Sequence, residues 1–137
     1  MKEKEDDNLK ESQLWRYINL IQKTEKTWHL IRIESNTING IPAVNGIIDG
    51  REFWIELKAN DAKLVGLSKY QINFHLKRRR LGGRCFILNA SPLKRCLELL
   101  EVREHGFPFL KSRFPFHKKH IRECLLLAAG PAGAAEN

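Results

Sequence analysis

Apolar residues recur at helical spacing early in the chain. Leu14, Tyr17, Ile18 and Ile21 form one stripe, which predicts an opening helix over residues 8–22. The period then shortens. WHLIRIE, residues 28–34, alternates well enough for a first strand. Residues 44–48 and 52–58 predict a hairpin closed by Asp49-Gly50, a pair that tolerates positive φ. Ser68 predicts the N-cap of a second helix running to about Leu81. On that helix Leu67, Tyr70, Phe74 and Leu81 share one stripe, while Ser68, Gln71, His75 and Arg78 share another. A strand is predicted over 84–88. Ser91-Pro92, in N-cap and N1 order, predicts a third helix that buries Leu93, Cys96, Leu97 and Leu100. A connector over 105–116 carries Phe107-Pro108-Phe109 and Phe114-Pro115-Phe116. It leads to a last helix near 117–129, stopped by Gly130-Pro131. Residues 1–7 and 131–137 are expected to be disordered.

With 137 residues the chain is long enough for one domain with a genuine core and too short for two. Its net charge of +8 favours a polyanionic partner, although an ordinary basic protein has the same balance. No apolar run approaches membrane-spanning length, and MKEKEDDNLK is too polar for a signal peptide. Cys85, Cys96 and Cys124 are odd in number and lack paired spacing, so reduced thiols in a cytoplasmic protein are expected.

Candidate chemistry concentrates in residues 41–58, IPAVNGIIDGREFWIELK. Strand alternation puts Glu56 and Lys58 on one face and turns Leu57 to the other. A carboxylate beside an ammonium suits phosphodiester hydrolysis; the plainer reading is an ion pair on a strand. Asp49 has a structural task in the hairpin turn. Lys69, Lys77, Arg78, Arg79, Arg80 and Arg84 form a basic cluster along and after the second helix, where phosphates could be neutralised. A second basic group, Lys111, Arg113, Lys118, Lys119 and Arg122, is interleaved with the Phe-Pro-Phe triplets. Those phenylalanines suit core packing or dimerisation better than stacking on bases. His117, His120 and Cys124 lack the fourth ligand that a zinc site needs.

Several motifs stand in order: Gly40-Ile41-Pro42, the turn at Asp49-Gly50, Glu56-Leu57-Lys58, Leu67-Ser68-Lys69-Tyr70-Gln71, and Leu81-Gly82-Gly83-Arg84-Cys85-Phe86-Ile87-Leu88. This series resembles the PD-(D/E)XK nucleases, and within them the small stand-alone VRR-NUC and Holliday-junction-resolvase-like enzymes. It covers residues 9–90. In that family the first turn continues from Pro to Asp, and here Ala43 stands at that position.

The resemblance implies an α/β fold, with an αβββαβ nuclease core over residues 8–90 and a helical extension over 91–130. It implies an endonuclease that hydrolyses DNA, duplex or branched, with Mg²⁺ or Mn²⁺. A homodimer is implied too, with no membrane and no small-molecule cofactor. The metal would be held by Glu56, the Leu57 carbonyl and an acidic residue at position 43, the place of Ala43. Hard cations prefer such oxygen ligands. Glu11 on the opening helix would complete the site, with Glu34 as the alternative; Asn8-x-x-Glu11 also reads as a capping box. Lys58 would activate or position the attacking water and Gln71 would hold it. Ser68, Lys69, His75, Lys77, Arg78, Arg79, Arg80 and Arg84 would contact DNA. Ala43 implies an impaired enzyme: either Asp was replaced by design, or the chain is a natural DNA-binding pseudo-nuclease. Retention of Glu56, Lys58 and Gln71 favours the first. A basic RNA-binding protein without an active site is the more distant reading.

Overall fold

Hairpins on either side of one parallel pairing generate a single six-stranded sheet in the order β1-β2-β3-β4-β5-β6. The structure is a computed structural model and describes residues 9–35 and 37–131. The elements are α1 (Glu11–Gln22), β1 (Trp28–Arg32), β2 (Val44–Ile48), β3 (Arg51–Lys58), α2 (Lys69–Arg80), β4 (Cys85–Ser91), β5 (Cys96–Val102), β6 (Pro108–Pro115) and α3 (Ile121–Ala129). β3 and β4 run parallel, joined by a crossover through α2, and every other neighbouring pair is antiparallel. Asp49 and Gly50 close the β2–β3 hairpin with φ of 50° and 81°, the mirror-image turn that suits strand twist. That turn fixes the register Val44↔Ile55, so position 43 meets Glu56 just beyond it.

The sheet separates two cores, and β3 gives its apolar side chains to one of them. Phe53, Ile55 and Leu57 join Phe86, Leu88, Leu97 and Leu99 under α1 and α3. On the other face Ile87, Leu100 and Val102 pack with Leu67, Ile72 and Leu76 around α2. The three cysteines are buried free thiols, and burial pushes Cys85 and Cys124 up to about 12. No helix among the described residues is long and apolar enough to cross a membrane.

The chain after residue 90 departs from the expected helical extension. Ser91-Pro92 does not open a helix, and Cys96–Val102 is a strand whose residues are all buried. Asp61 accepts a hydrogen bond from the Leu93 amide (2.8 Å), while the Ser91 hydroxyl accepts one from the Lys94 amide (3.1 Å). Arg95 takes a positive φ of 53°. The would-be helix cap is thus spent on the β4–β5 turn, and Leu93 is left exposed. An apolar run such as CLELLEV satisfies a strand buried on both faces as well as a helix, so periodicity alone does not separate them. The expected connector is the strand β6, with Pro108 and Pro115 at its ends, where an edge strand tolerates proline. Phe116 enters the core, Phe114 packs against it, and Phe107 and Phe109 are exposed. At the N-terminus α1 begins at Glu11, and the Lys10 amide donates to Gln13 Oε1 (3.0 Å). Asn8, residues 1–7 and residues 132–137 lie outside the described residues.

Helix α2 is also rotated from the expected orientation. Tyr70 and Leu81 are exposed, whereas His75 is fully buried and neither ring nitrogen has a partner in the structure. Polar anchors account for the rotation: Gln71 bonds Glu56 and Arg79 bonds Glu101. Residues 71, 72, 75, 76 and 79 share one helical face, so satisfying both buried carboxylates turns Ile72, His75 and Leu76 to the sheet. His75 therefore does not offer itself to a DNA phosphate.

Burial, reinforced by the nearby Arg79 charge, lowers the His75 pKa from 6.5 to about 4. The unfolded chain thus binds the extra proton between those values. Its contribution to stability is intact above pH 6.5 and is lost as pH falls towards 4, by roughly 3 kcal/mol. Denaturant unfolding of His75→Leu alongside the parent should show a shallower loss over that window. Parallel pH profiles would count against a buried neutral imidazole.

Candidate active site

The candidate site is assembled where a turn, a strand end and a helix start meet. Gly40 makes the meeting possible. It has a φ of +83°, and a Cβ built on it would lie 2.3 Å from the Tyr70 carbonyl oxygen and 2.8 Å from the Gln71 nitrogen. Only glycine lets the 40–43 turn rest on the first turn of α2. Ala43 then donates its amide to Glu56 Oε1 (2.9 Å), and Gln71 Nε2 donates to Glu56 Oε2 (2.7 Å). Gln71 also accepts from the Ser68 amide (2.9 Å) while the Ser68 hydroxyl accepts from the Gln71 amide (3.2 Å). Ser68 therefore caps α2, and the same capping box aims the other end of the Gln71 amide at the carboxylate.

Glu56 is 7 % exposed. Its pKa is raised, chiefly by burial, and the Glu11 charge raises it further; Lys58, the Ala43 amide and Gln71 act in the opposite direction. Lys58 Nζ lies 3.8 Å from Glu56 Oε2 and donates to the Gly66 carbonyl (3.3 Å). That carbonyl belongs to a constrained loop in which Leu64 and Val65 hold positive φ of 55° and 56°. Such conformations cost bulky residues about 1–2 kcal/mol each and need support from their surroundings. The support comes from β4. Asn89 accepts from the Asn60 amide (3.1 Å), donates to its carbonyl (2.9 Å) and also donates to Glu98 Oε1 (3.0 Å). Asn60 Nδ2 in turn donates to the Val65 carbonyl (3.3 Å). No sequence motif marks Asn60, Asn89 or Glu98. The one visible signal is the polar Asn89 in the otherwise apolar run CFILNAS.

A cavity of about 330 Å³ opens beside this cluster, lined by Ala43, Glu56, Ser68, Tyr70 and Gln71. The motif resemblance implies a divalent cation here, and the residues as they stand do not fit one. Both Glu56 oxygens already accept hydrogen bonds, and position 43 presents a methyl group. Among the described residues no group of three His, Cys, Asp or Glu could hold a metal. Of the candidate further carboxylates, Glu11 is near enough for its charge to reach Glu56. Glu34 is exposed and 3.9 Å from Arg32. Leu57 turns its side chain into the α1/α3 core.

The basic cluster divides. Lys69 lies over the Tyr70 ring and Arg78 over the rings of Trp54 and Phe74, while Lys77 and Arg80 occupy exposed positions on α2. Arg79 is drawn to the buried Glu101 instead. Arg84 donates to the Ala128 (2.8 Å) and Leu127 (3.3 Å) carbonyls at the end of α3. Arg79 and Arg84 are thus engaged away from the Glu56 cavity.

No protein-family model matches the chain, and no curated protein matches it. Among solved structures it is similar to Hjc, a Holliday junction resolvase from the archaeal hyperthermophile Archaeoglobus fulgidus. The identity is 15 %, the match covers 74 % of this chain and 88 % of that chain, and the TM-score is 0.48.

Gly40→Ala should cost about 2–4 kcal/mol, combining left-handed strain with overpacking. Hydrogen exchange should show the 40–43 turn and the first turn of α2 loosening together. Unchanged unfolding midpoints would mean that the close approach of turn and helix is not needed.

Proposed function

We infer that this chain is a DNA-binding domain of the PD-(D/E)XK endonuclease type. Its catalytic arrangement is Glu56, Lys58 and Gln71, and its phosphodiester hydrolysis is suppressed by Ala43. The observation that carries the reading is the meeting of residues from three separate motifs at Glu56: position 43 and Gln71 join it in the wall of one cavity, and Lys58 pairs with it from behind that wall. Glu56 supplies the buried carboxylate and Lys58 a cation beside it. Gln71 orients the carboxylate through one amide group while its other end stays fixed to the helix cap. Lys69, Lys77, Arg78 and Arg80, on the helix that carries Gln71, would neutralise phosphates without reading sequence. Two copies would be needed to cut both strands of a duplex or junction.

Ala43→Asp tests the catalytic part. A carboxylate at position 43 would stand beside Glu56, where two negative charges at close range call for a cation. Cleavage of linear, flapped or four-way DNA should appear in the variant with Mg²⁺ or Mn²⁺ and vanish with EDTA. Adding Lys58→Ala should abolish it. Full-rate cutting by the Ala43 protein would refute the assignment of position 43. A naturally non-catalytic DNA-binding module is the second reading. It is favoured by the saturation of both Glu56 oxygens with protein donors, and it prevails if the aspartate variant binds metal without cutting.

Binding is tested separately. Replacing Lys77, Arg78 and Arg80 together by Gln should weaken binding to all duplex sequences alike. It should also reduce the slope of log affinity against log salt by roughly one for each phosphate that is no longer neutralised. Weakening confined to one sequence would point to direct base reading instead.

A further inference from the structure

A second basic cavity lies at the other end of β3, mostly on the opposite face of the sheet, with Arg79 reaching it from α2. Arg51 begins that strand and shares a face with Phe53, Ile55 and Leu57, whereas Glu56 points the other way. Five residues of strand separate the two positions, roughly 17 Å. Around Arg51 a cavity of about 960 Å³ is lined by Arg79, Arg84, Arg103 and Lys111 as well, with Glu101 as the only acidic residue in its wall among the described residues. These five cations come from β3, α2, the loop before β4, the end of β5 and β6, so the fold gathers them; no run in the sequence does.

Their charges are incompletely matched. Glu101 is 4 % exposed and is shared by Arg79, Arg103 (2.9 Å) and Lys111 (3.7 Å). Arg51 is paired with Asp49 (3.6 Å) and also bonds the Gly130 carbonyl, whereas Arg84 hydrogen-bonds only to main-chain carbonyls at the end of α3, which carry partial charge. Arg103 Nε is buried without a partner in the structure. The wall is also amphipathic: Leu126 and Leu127, both exposed, lie alongside the cations. Concentrated guanidinium groups suit phosphate oxygens, because several N–H groups can engage one phosphoryl group at once. The volume is in the range of small-ligand sites.

We propose that this cavity is a binding site for a phosphate-bearing organic anion, held through Arg103, Lys111 and Arg79 with its apolar part against Leu126 and Leu127. The ligand is either a free nucleotide or the phosphate of a nucleic-acid strand, which share this chemistry. The site does not depend on the reading of Glu56.

Isothermal titration calorimetry of the full chain with inorganic pyrophosphate, with metal-free ATP and with a short single-stranded oligodeoxynucleotide tests the proposal. Saturable pyrophosphate and ATP binding is expected, with ATP the tighter because of the leucines. Arg103→Gln with Lys111→Gln, both at partly exposed positions, should weaken it by about tenfold or more. Arg16→Gln with Lys23→Gln, equal in charge change and on exposed positions of α1 and its end, should leave it unaltered. Should the double variant unfold, Lys111→Gln alone and Glu101→Gln serve instead: the first should weaken binding, and the second, which removes the competing carboxylate, should tighten it. If oligonucleotide displaces ATP, the source is nucleic acid; if the two bind independently, it is a free nucleotide. Non-saturable binding, or equal weakening in the α1 control, would overturn the site.

Discussion

One buried carboxylate ties the candidate site together. Glu56 is held between the Ala43 amide and the Gln71 side chain, and those two donors come from segments that would otherwise have little reason to touch. Removing either donor leaves a buried acceptor short of a partner, which costs about 1–3 kcal/mol. The same bond orients α2, because Gln71 must face the sheet; Ile72, His75 and Leu76 follow it and Tyr70 is turned outward. Electrostatics and packing therefore agree on a helix orientation that the apolar residues of α2 alone do not specify.

The legible parts of the fold are those written in local chemistry. Asp49-Gly50 announces a turn, and that turn fixes a register which brings position 43 to Glu56. Ser68 announces a helix start, and Glu-x-Lys implies a shared face. The illegible parts depend on partners distant in sequence. Cys96–Val102 looks helical until β4 and β6 flank it, since a strand buried on both faces loses its alternation. Ser91-Pro92 looks like a cap until Asp61, about thirty residues away, binds the turn. His75 looks like a surface residue because nothing nearby in sequence shows which face Gln71 and Arg79 select. In the candidate site, the carboxylate, ammonium and glutamine are visible as motifs. The Asn60–Asn89–Glu98 support is not, because it is made by bonds across the sheet.

Charge is sorted by the fold in a way that sequence proximity conceals. Arg78, Arg79 and Arg80 are consecutive, yet Arg78 lies over aromatic rings, Arg79 reaches a buried carboxylate, and Arg80 is exposed. A helix advances about 100° per residue, so adjacent cations leave in different directions and meet different surroundings. Cations adjacent in sequence are accordingly divided, with Lys77, Arg78 and Arg80 on the exposed side of α2 and Arg79 joining the cluster at the far end of β3.

The outer strand β6 has a consequence for how the molecule meets copies of itself. Its ends are prolines, and Lys111 and Arg113 sit between them, 43 % and 50 % exposed at their side chains. A strand approaching this border would find no amide proton on either proline and two cations in its path. Such a border discourages open-ended extension of the sheet from copy to copy at high concentration, and it does so without covering the strand with another element. Self-association by adding strands on this side is thereby disfavoured, and the opposite border at β1 or the helix surfaces are left as the easier routes for one copy to meet another.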